Sequence, residues 1–176
     1  MNLTDILVVA SSVVIFILLW VMLAASVLKS KSAKVLAKWK SIDEKLRRRQ
    51  DLVPLIIETF RRHADDKNLE KILIKERMNA AKVYLPGAKK IEVEGDLTKR
   101  LNELFGSAAK NDAAMKDSDF LYAKSEVEGL EKALEEETGD FNDAVRSYNK
   151  TLGSFFTFAV AKVFGYKKMN IFDVES

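Results

Sequence analysis

From Ile6 to Leu28 the chain reads ILVVASSVVIFILLWVMLAASVL, 23 residues without a charged side chain. No other feature narrows the possible folds as much. A helix over this run is about 34 Å long, enough to cross a hydrocarbon core about 30 Å thick. A buried core helix and a cleaved signal peptide are the competing readings. Signal peptides carry a basic n-region and an apolar stretch of about 7–15 residues. Here Met1–Asp5 has no Lys or Arg and the apolar run is longer, although Ala24-Ala25-Ser26 has the small residues of a cleavage site. The run therefore reads as a retained anchor, with Trp20 where an interfacial aromatic ring can sit.

The first 28 residues hold one charge, Asp5, and the remainder holds all 29 Lys and Arg. Lys29, Lys31, Lys34, Lys38 and Lys40 follow the run directly, then Arg47, Arg48 and Arg49. Basic residues gather on the cytoplasmic side of spans, so the expectation is an outside N-terminus and a cytoplasmic domain. Lys29 and Lys31 lie nearest the lipid and suit anionic headgroups, though a simple stop-transfer flank is an equal reading.

Two prolines and seven glycines leave long stretches unbroken, which favours helices over many short strands. The absence of cysteine excludes disulfides, thiolate nucleophiles and zinc–thiolate sites. A net charge of +3 is too small to argue for nucleic acid. Val35, Trp39, Ile42, Leu46, Arg49, Val53, Ile56, Phe60 and His63 alternate by four and three, a heptad seam that predicts one helix over residues 30–64, continuous with the anchor. Pro54 removes a hydrogen bond to the Gln50 carbonyl and predicts a kink. Arg49 sits on the seam one turn earlier; it pairs with an inward carboxylate or, by default, extends to water.

Asp65 and Asp66 are the cap candidates for a second helix carrying Leu69, Ile72, Leu73, Glu76, Ala80 and Val83 and closed by Pro86-Gly87. Residues 85–96 read as a loop, with Ile91-Glu92-Val93 as a strand-like snippet. A third helix is expected from about Asp96 to Ala114, burying Leu97, Leu101, Leu104 and Ala108. Asp117 or Ser118 caps a fourth helix over 118–153, with Phe120, Ala123, Val127, Leu130, Leu134, Phe141, Val145, Tyr148, Leu152 and Phe155 on its seam. Gly129 and Gly139 weaken that helix by up to about 1 kcal/mol each and suggest close helix contact.

These expectations make an all-α chain: an anchor (1–28), an antiparallel four-helix bundle of two long and two short helices (29–153), and an aromatic segment near the membrane (154–176). The long helices are about 52 and 54 Å and the short ones about 26 and 27 Å. Short partners leave the lower parts of the long pair uncovered, which predicts self-association or a partner there. Trp39, Ile42 and Leu46 facing Tyr148, Leu152 and Phe155 are the expected contact positions. Phe156, Phe158, Phe164 and Tyr166, with Trp20, Lys29 and Lys31, are the expected membrane-interface set. A cap on the bundle base is the other reading of the aromatic segment.

Two segments resemble the LemA family. Trp39-Lys-Ser-Ile42-Asp43 followed by Leu46-Arg-Arg-Arg-Gln-Asp51-Leu52-Val53-Pro54 is similar to that family's "W..ID..L.RR.DL.P". Phe141-Asn142, Val145 and Tyr148-Asn149, with the later Phe155-Phe156 and Ala161-Lys162-Val163-Phe164-Gly165-Tyr166, are similar to its "YN..V..YN.....FP....A..FGF" ending. Phe141 stands for the first Tyr and Phe156 for the Pro, which marks a divergent member. The resemblance implies an antiparallel bundle tethered to a bacterial membrane, a link to membrane organisation, and no catalytic residues.

His63 with Asp65 or Asp66 offers too few ligands for zinc. Glu126, Glu128, Glu131, Glu135, Glu136 and Glu137 read as a solvated helix face, with Glu128–Lys132 as an i,i+4 pair. No phosphate-binding glycine loop or nucleophile-elbow motif is present. Asn149 is unusual inside a helix and suggests a bond across to the first helix. The expectation is a non-enzymatic single-pass protein without cofactor, metal, nucleic acid or small-molecule substrate. It acts as a self-assembling scaffold or membrane organiser; the alternative is an accessory subunit of a membrane protease or transporter.

Overall fold

A computed structural model describes residues 2–64 and 66–172, so the cap and metal roles considered for Asp65, and the last four residues of the aromatic segment, lie outside the described residues. The chain forms α1 (Leu3–Arg61), α2 (Lys67–Ala81), α3 (Ala88–Ala108), a single 3₁₀ turn (Ala114–Lys116), α4 (Ser118–Leu152) and α5 (Phe155–Val163). No strand occurs among the described residues.

The apolar run and the heptad seam form one helix, with Pro54 inside it. The helix ends where the Phe60 carbonyl accepts from the backbone of His63 at 2.9 Å and Ala64 at 3.0 Å. Asp66 caps α2, its Oδ1 accepting from Leu69 N at 3.0 Å. At the head of α4, Asp117 Oδ1 accepts from Asp119 N at 2.9 Å and Phe120 N at 3.1 Å. Gly165 (φ +73°) ends α5, and Tyr166 N reaches back to the Ala161 carbonyl at 2.9 Å. A left-handed residue at that position closes a helix, and glycine adopts it without steric cost.

The third helix departs from expectation. Residues Ile91-Glu92-Val93 are helical, not strand-like, and α3 starts eight residues before Asp96 and stops at Ala108. Val93, Leu97, Leu101, Leu104 and Ala108 form one buried stripe that runs back across Gly95, with Lys90 and Glu94 buried beside it. Burial along that stripe outweighs the roughly 1 kcal/mol a mid-helix glycine costs. Gly129 and Gly139 also differ from expectation: both are exposed, and a Cβ added at either meets no atom within 4 Å. They mark no close helix contact.

The described chain divides into two compact units, and the division falls inside α1 and α4. One unit holds, among the described residues, Lys38–Asn142 and Asn170–Phe172. Its core joins Val53, Ile56 and Phe60 of α1, Leu73 and Ala80 of α2, the α3 stripe, Ala114, and Phe120, Ala123 and Val127 of α4. The other holds the residues up to Ala37 with Asp143–Met169. Its buried side chains are Ala24, Leu28 and Val35 of α1, Val145, Tyr148 and Leu152 of α4, and Thr157, Val160 and Ala161 of α5. Within this unit, therefore, α1 and α4 do not stand as an uncovered pair, because α5 adds a third apolar surface.

Candidate functional site

The larger unit encloses charge. Arg49 is buried, against the default that it extends to water. Its guanidinium donates to Thr98 Oγ1 and to Glu94 Oε2, both at 2.8 Å. Glu94 also accepts from Gln50 Nε2 at 2.7 Å and pairs with Lys90 Nζ at 2.9 Å. Lys90 donates to the Ala80 carbonyl at 3.2 Å as well. Two outer acids face the two cations: Glu131 lies 3.6 Å from Arg49 and Asp43 lies 3.9 Å from Lys90. Burial raises the Glu131 carboxyl above its ordinary value, while Arg49 pulls it back. A buried charge is tolerated only when paired and hydrogen-bonded, and here one carboxylate serves both cations.

Beside this cluster lies a cavity of about 300 Å³, walled by Asp43, Arg47, Gln50, Asp51, Arg77, Tyr84 and Lys90 among others. Its charges are mutually engaged. Arg47 donates to Asp43 at 2.8 Å and sits 5.2 Å over the Tyr84 ring. Arg77 donates to the Gln50 carbonyl at 2.7 Å. Among the described residues no three His, Asp or Glu side chains come together as a metal site.

The glutamates of α4 are not simply a solvated face. Glu126 pairs with Arg48, Glu131 approaches Arg49, and Glu137 receives a 2.6 Å hydrogen bond from Lys45. Burial works to raise Glu137, but Lys45, Ser41 and Lys38 together hold it below its ordinary value. Lys38 pairs with Asp140, whose hydrogen bond raises the lysine. Glu128 pairs backwards with Lys124 at 2.9 Å rather than with Lys132. His63 Nε2 lies 2.8 Å from Asp117 Oδ2, and this contact, with the two backbone donors and Arg62, holds Asp117 below the usual carboxylate range.

The two Asn residues of the second motif find a use that local sequence does not reveal. Asn142 donates to the Phe172 carbonyl at 2.7 Å and accepts from Phe172 N at 2.8 Å. Phe172 is thereby seated against Trp39, with ring centroids 5.1 Å apart; Phe141 lies 5.7 Å from the same indole. Trp39 Nε1 donates to the Tyr84 carbonyl at 3.1 Å. In the other unit, Asn149 makes the same two-way pair with Met169, at 2.8 and 3.0 Å, instead of reaching to α1. Tyr148 donates to the Lys167 carbonyl at 3.0 Å, and burial raises its phenol above the ordinary value. A side-chain amide offers one donor and one acceptor side by side, which matches the backbone of an extended tail residue.

The residues that carry these contacts belong to a matched region: the model of the LemA family aligns with residues 38–176, well over half of the chain. The chain belongs to the LemA family. No curated protein matches it. In this LemA protein the first motif supplies Trp39, Ile42, Leu46 and the Arg49–Gln50 side of the charge cluster; the second supplies the Asn pairs. Of the six expected contact positions, Trp39, Ile42, Leu46, Tyr148 and Leu152 are buried within the single chain, and Phe155 alone is fully exposed. Sequence periodicity finds apolar faces but does not tell which neighbour covers them.

The expected membrane-interface residues fall in the unit that contains the apolar run. Trp20 is half-buried and meets Phe156 edge-on, with centroids 6.1 Å apart and planes at 78°. Lys29 is exposed, and Lys31 donates to Ser147 Oγ at 2.7 Å. Phe158 and Phe164 are exposed, and Tyr166 is half-buried. The N-terminal helix is long and apolar enough to cross a membrane.

Proposed function

We propose that this LemA protein is a non-enzymatic membrane-tethered scaffold of the bacterial cell membrane, with its N-terminus outside and its larger unit in the cytoplasm. The observation that carries the reading is exposure: Val8, Val13, Val14, Phe16 and Leu18 are each more than half exposed, so α1 presents hydrocarbon on every side. A helix apolar all round requires an apolar surrounding. Its two serines suit that surrounding, because Ser11 and Ser12 donate to the Val8 carbonyl at 2.9 and 2.8 Å and leave no hydroxyl hydrogen unbonded.

The domain reads as an antiparallel four-helix bundle. Supporting this, α1–α4 pairs run in opposite numerical order, from Lys38–Asp140 through Arg49–Glu131 to Arg62–Asp119. Its buried ionic groups hold helices together, which supports a structural role over a chemical one. Self-assembly, if it proceeds as proposed, uses faces other than the buried seam positions. The test takes the full-length protein in its native membrane. It is expected to resist alkaline carbonate extraction, to keep a C-terminal tag protected from protease in intact cells, and to migrate above monomer size in mild detergent. Release by carbonate overturns the tether; a cleaved tag overturns the sidedness; a strict monomer overturns the scaffold.

A further inference from the structure

We infer that α5 is embedded in the same lipid leaflet as the C-terminal part of the span, with its aromatic face against acyl chains and its lysines at anionic headgroups. The inference rests on the reading of the apolar run as a bilayer span, and adds a second lipid contact to it.

The arrangement of α5 is inside-out for a helix in water. Its one hydroxyl residue, Thr157, is buried and donates to the Thr151 carbonyl. Phe155, Phe158 and Val163 point outward at 100, 58 and 81% exposure, followed by Phe164. A helix that hides its polar atom and presents phenyl rings is matched to hydrocarbon. The single charge on α5 is Lys162, in its last turn, and Lys167 and Lys168 follow the Gly165 turn. The long stem of Lys162 lets its ammonium group reach the headgroup layer from below it, while Lys167 lies beside Tyr148, next to the Ser147 level in α4.

Depth supports the same assignment. Lys31, just past the charge-free run, bonds to Ser147 and sets one level within this unit. Phe156 sets the other by its contact with Trp20. Eleven residues of α1 separate Lys31 from Trp20, a rise of about 16 Å. Trp20 lies eight residues inside the Leu28 end of the run, a rise of about 12 Å. The run exceeds the hydrocarbon thickness by about 4 Å, which brings that depth towards the roughly 5–10 Å at which interfacial helices lie. A cap that merely covered the bundle base would turn its rings inward; here Phe155 and Phe158 face away from the protein, while Phe156 meets Trp20.

The chain has no native cysteine, so single spin labels can be placed in the full-length protein. Phe155→Cys and Phe158→Cys replace exposed rings; Leu18→Cys reports the span and Lys99→Cys the aqueous surface. The labelled proteins are reconstituted into vesicles of equal parts phosphatidylcholine and phosphatidylglycerol, and collision with oxygen is compared with collision with a water-soluble nickel chelate. Oxygen contact several-fold above nickel contact at 155 and 158, as at Leu18, is the expected result. Nickel contact equal to that at Lys99, with Leu18 remaining lipid-like, overturns the inference and leaves the anchor intact. Immobile labels shielded from both reagents also overturn it, because a second copy or another protein then covers α5. Nickel contact at Leu18 itself overturns the anchor reading, and this inference with it.

Discussion

Glu94 accepts hydrogen bonds from Arg49 and Gln50, forms an ion pair with Lys90 and has no exposed surface. Glu94→Gln leaves two buried cations facing a neutral amide, and removing one partner of a buried pair costs about 3–5 kcal/mol. Thermal unfolding of the full-length protein is expected to show that loss as a large drop in Tm. Replacing the whole cluster (Arg49→Met, Gln50→Leu, Lys90→Met and Glu94→Leu together) is expected to recover most of it, because no uncompensated charge remains. Asp117 makes a pH prediction. Its folded-state pKa is depressed, first by His63 and then by the Phe120 amide. Such a group contributes stability above its ordinary value of 3.8, and the contribution is lost as pH falls through the lower folded value. Asp117→Asn is therefore expected to lower Tm at neutral pH, with the gap to the native protein closing below the ordinary aspartate range. Arg49 was legible as a seam residue. Its counter-charge was not, because Glu94 lies in a segment whose Pro and Gly content reads as loop.

Helices one, two and four were legible in kind and nearly in extent, since long apolar periodicity outweighs a single proline or glycine. Helix three was misplaced because Gly87 and Gly95 bracket its first turns, and only the tertiary stripe from Val93 onwards makes those turns worth forming. In α4, Gly129 and Gly139 lie on exposed helix with open space beside them. Gly129→Ala and Gly139→Ala are each expected to raise stability by about 0.5–1 kcal/mol, read as an increase in Tm. A drop at either position would mean that the open side is occupied in the assembled protein.

For the whole molecule, an N-terminal helix long and apolar enough to cross a membrane was evident from hydropathy alone and the membership of the family from two motifs, whereas the division into two units was not. The decisive contacts are non-local: Asn142 with Phe172, and Asn149 with Met169. No window of sequence contains both partners of such a pair. Trp39, one of the positions expected to meet a second copy, illustrates the same limit, because Phe172 far downstream covers an indole that looks free when read locally.

The seat of Trp39 also fixes an order of events in time. The indole is made soon after the apolar run, yet its neighbours Phe141 and Phe172 are synthesised much later. Folding of nascent chains begins at the N-terminus, but this pocket cannot close until Phe172 has been made. The seat of this tryptophan is therefore among the last parts of the larger unit to form, although its own helix is among the first parts made.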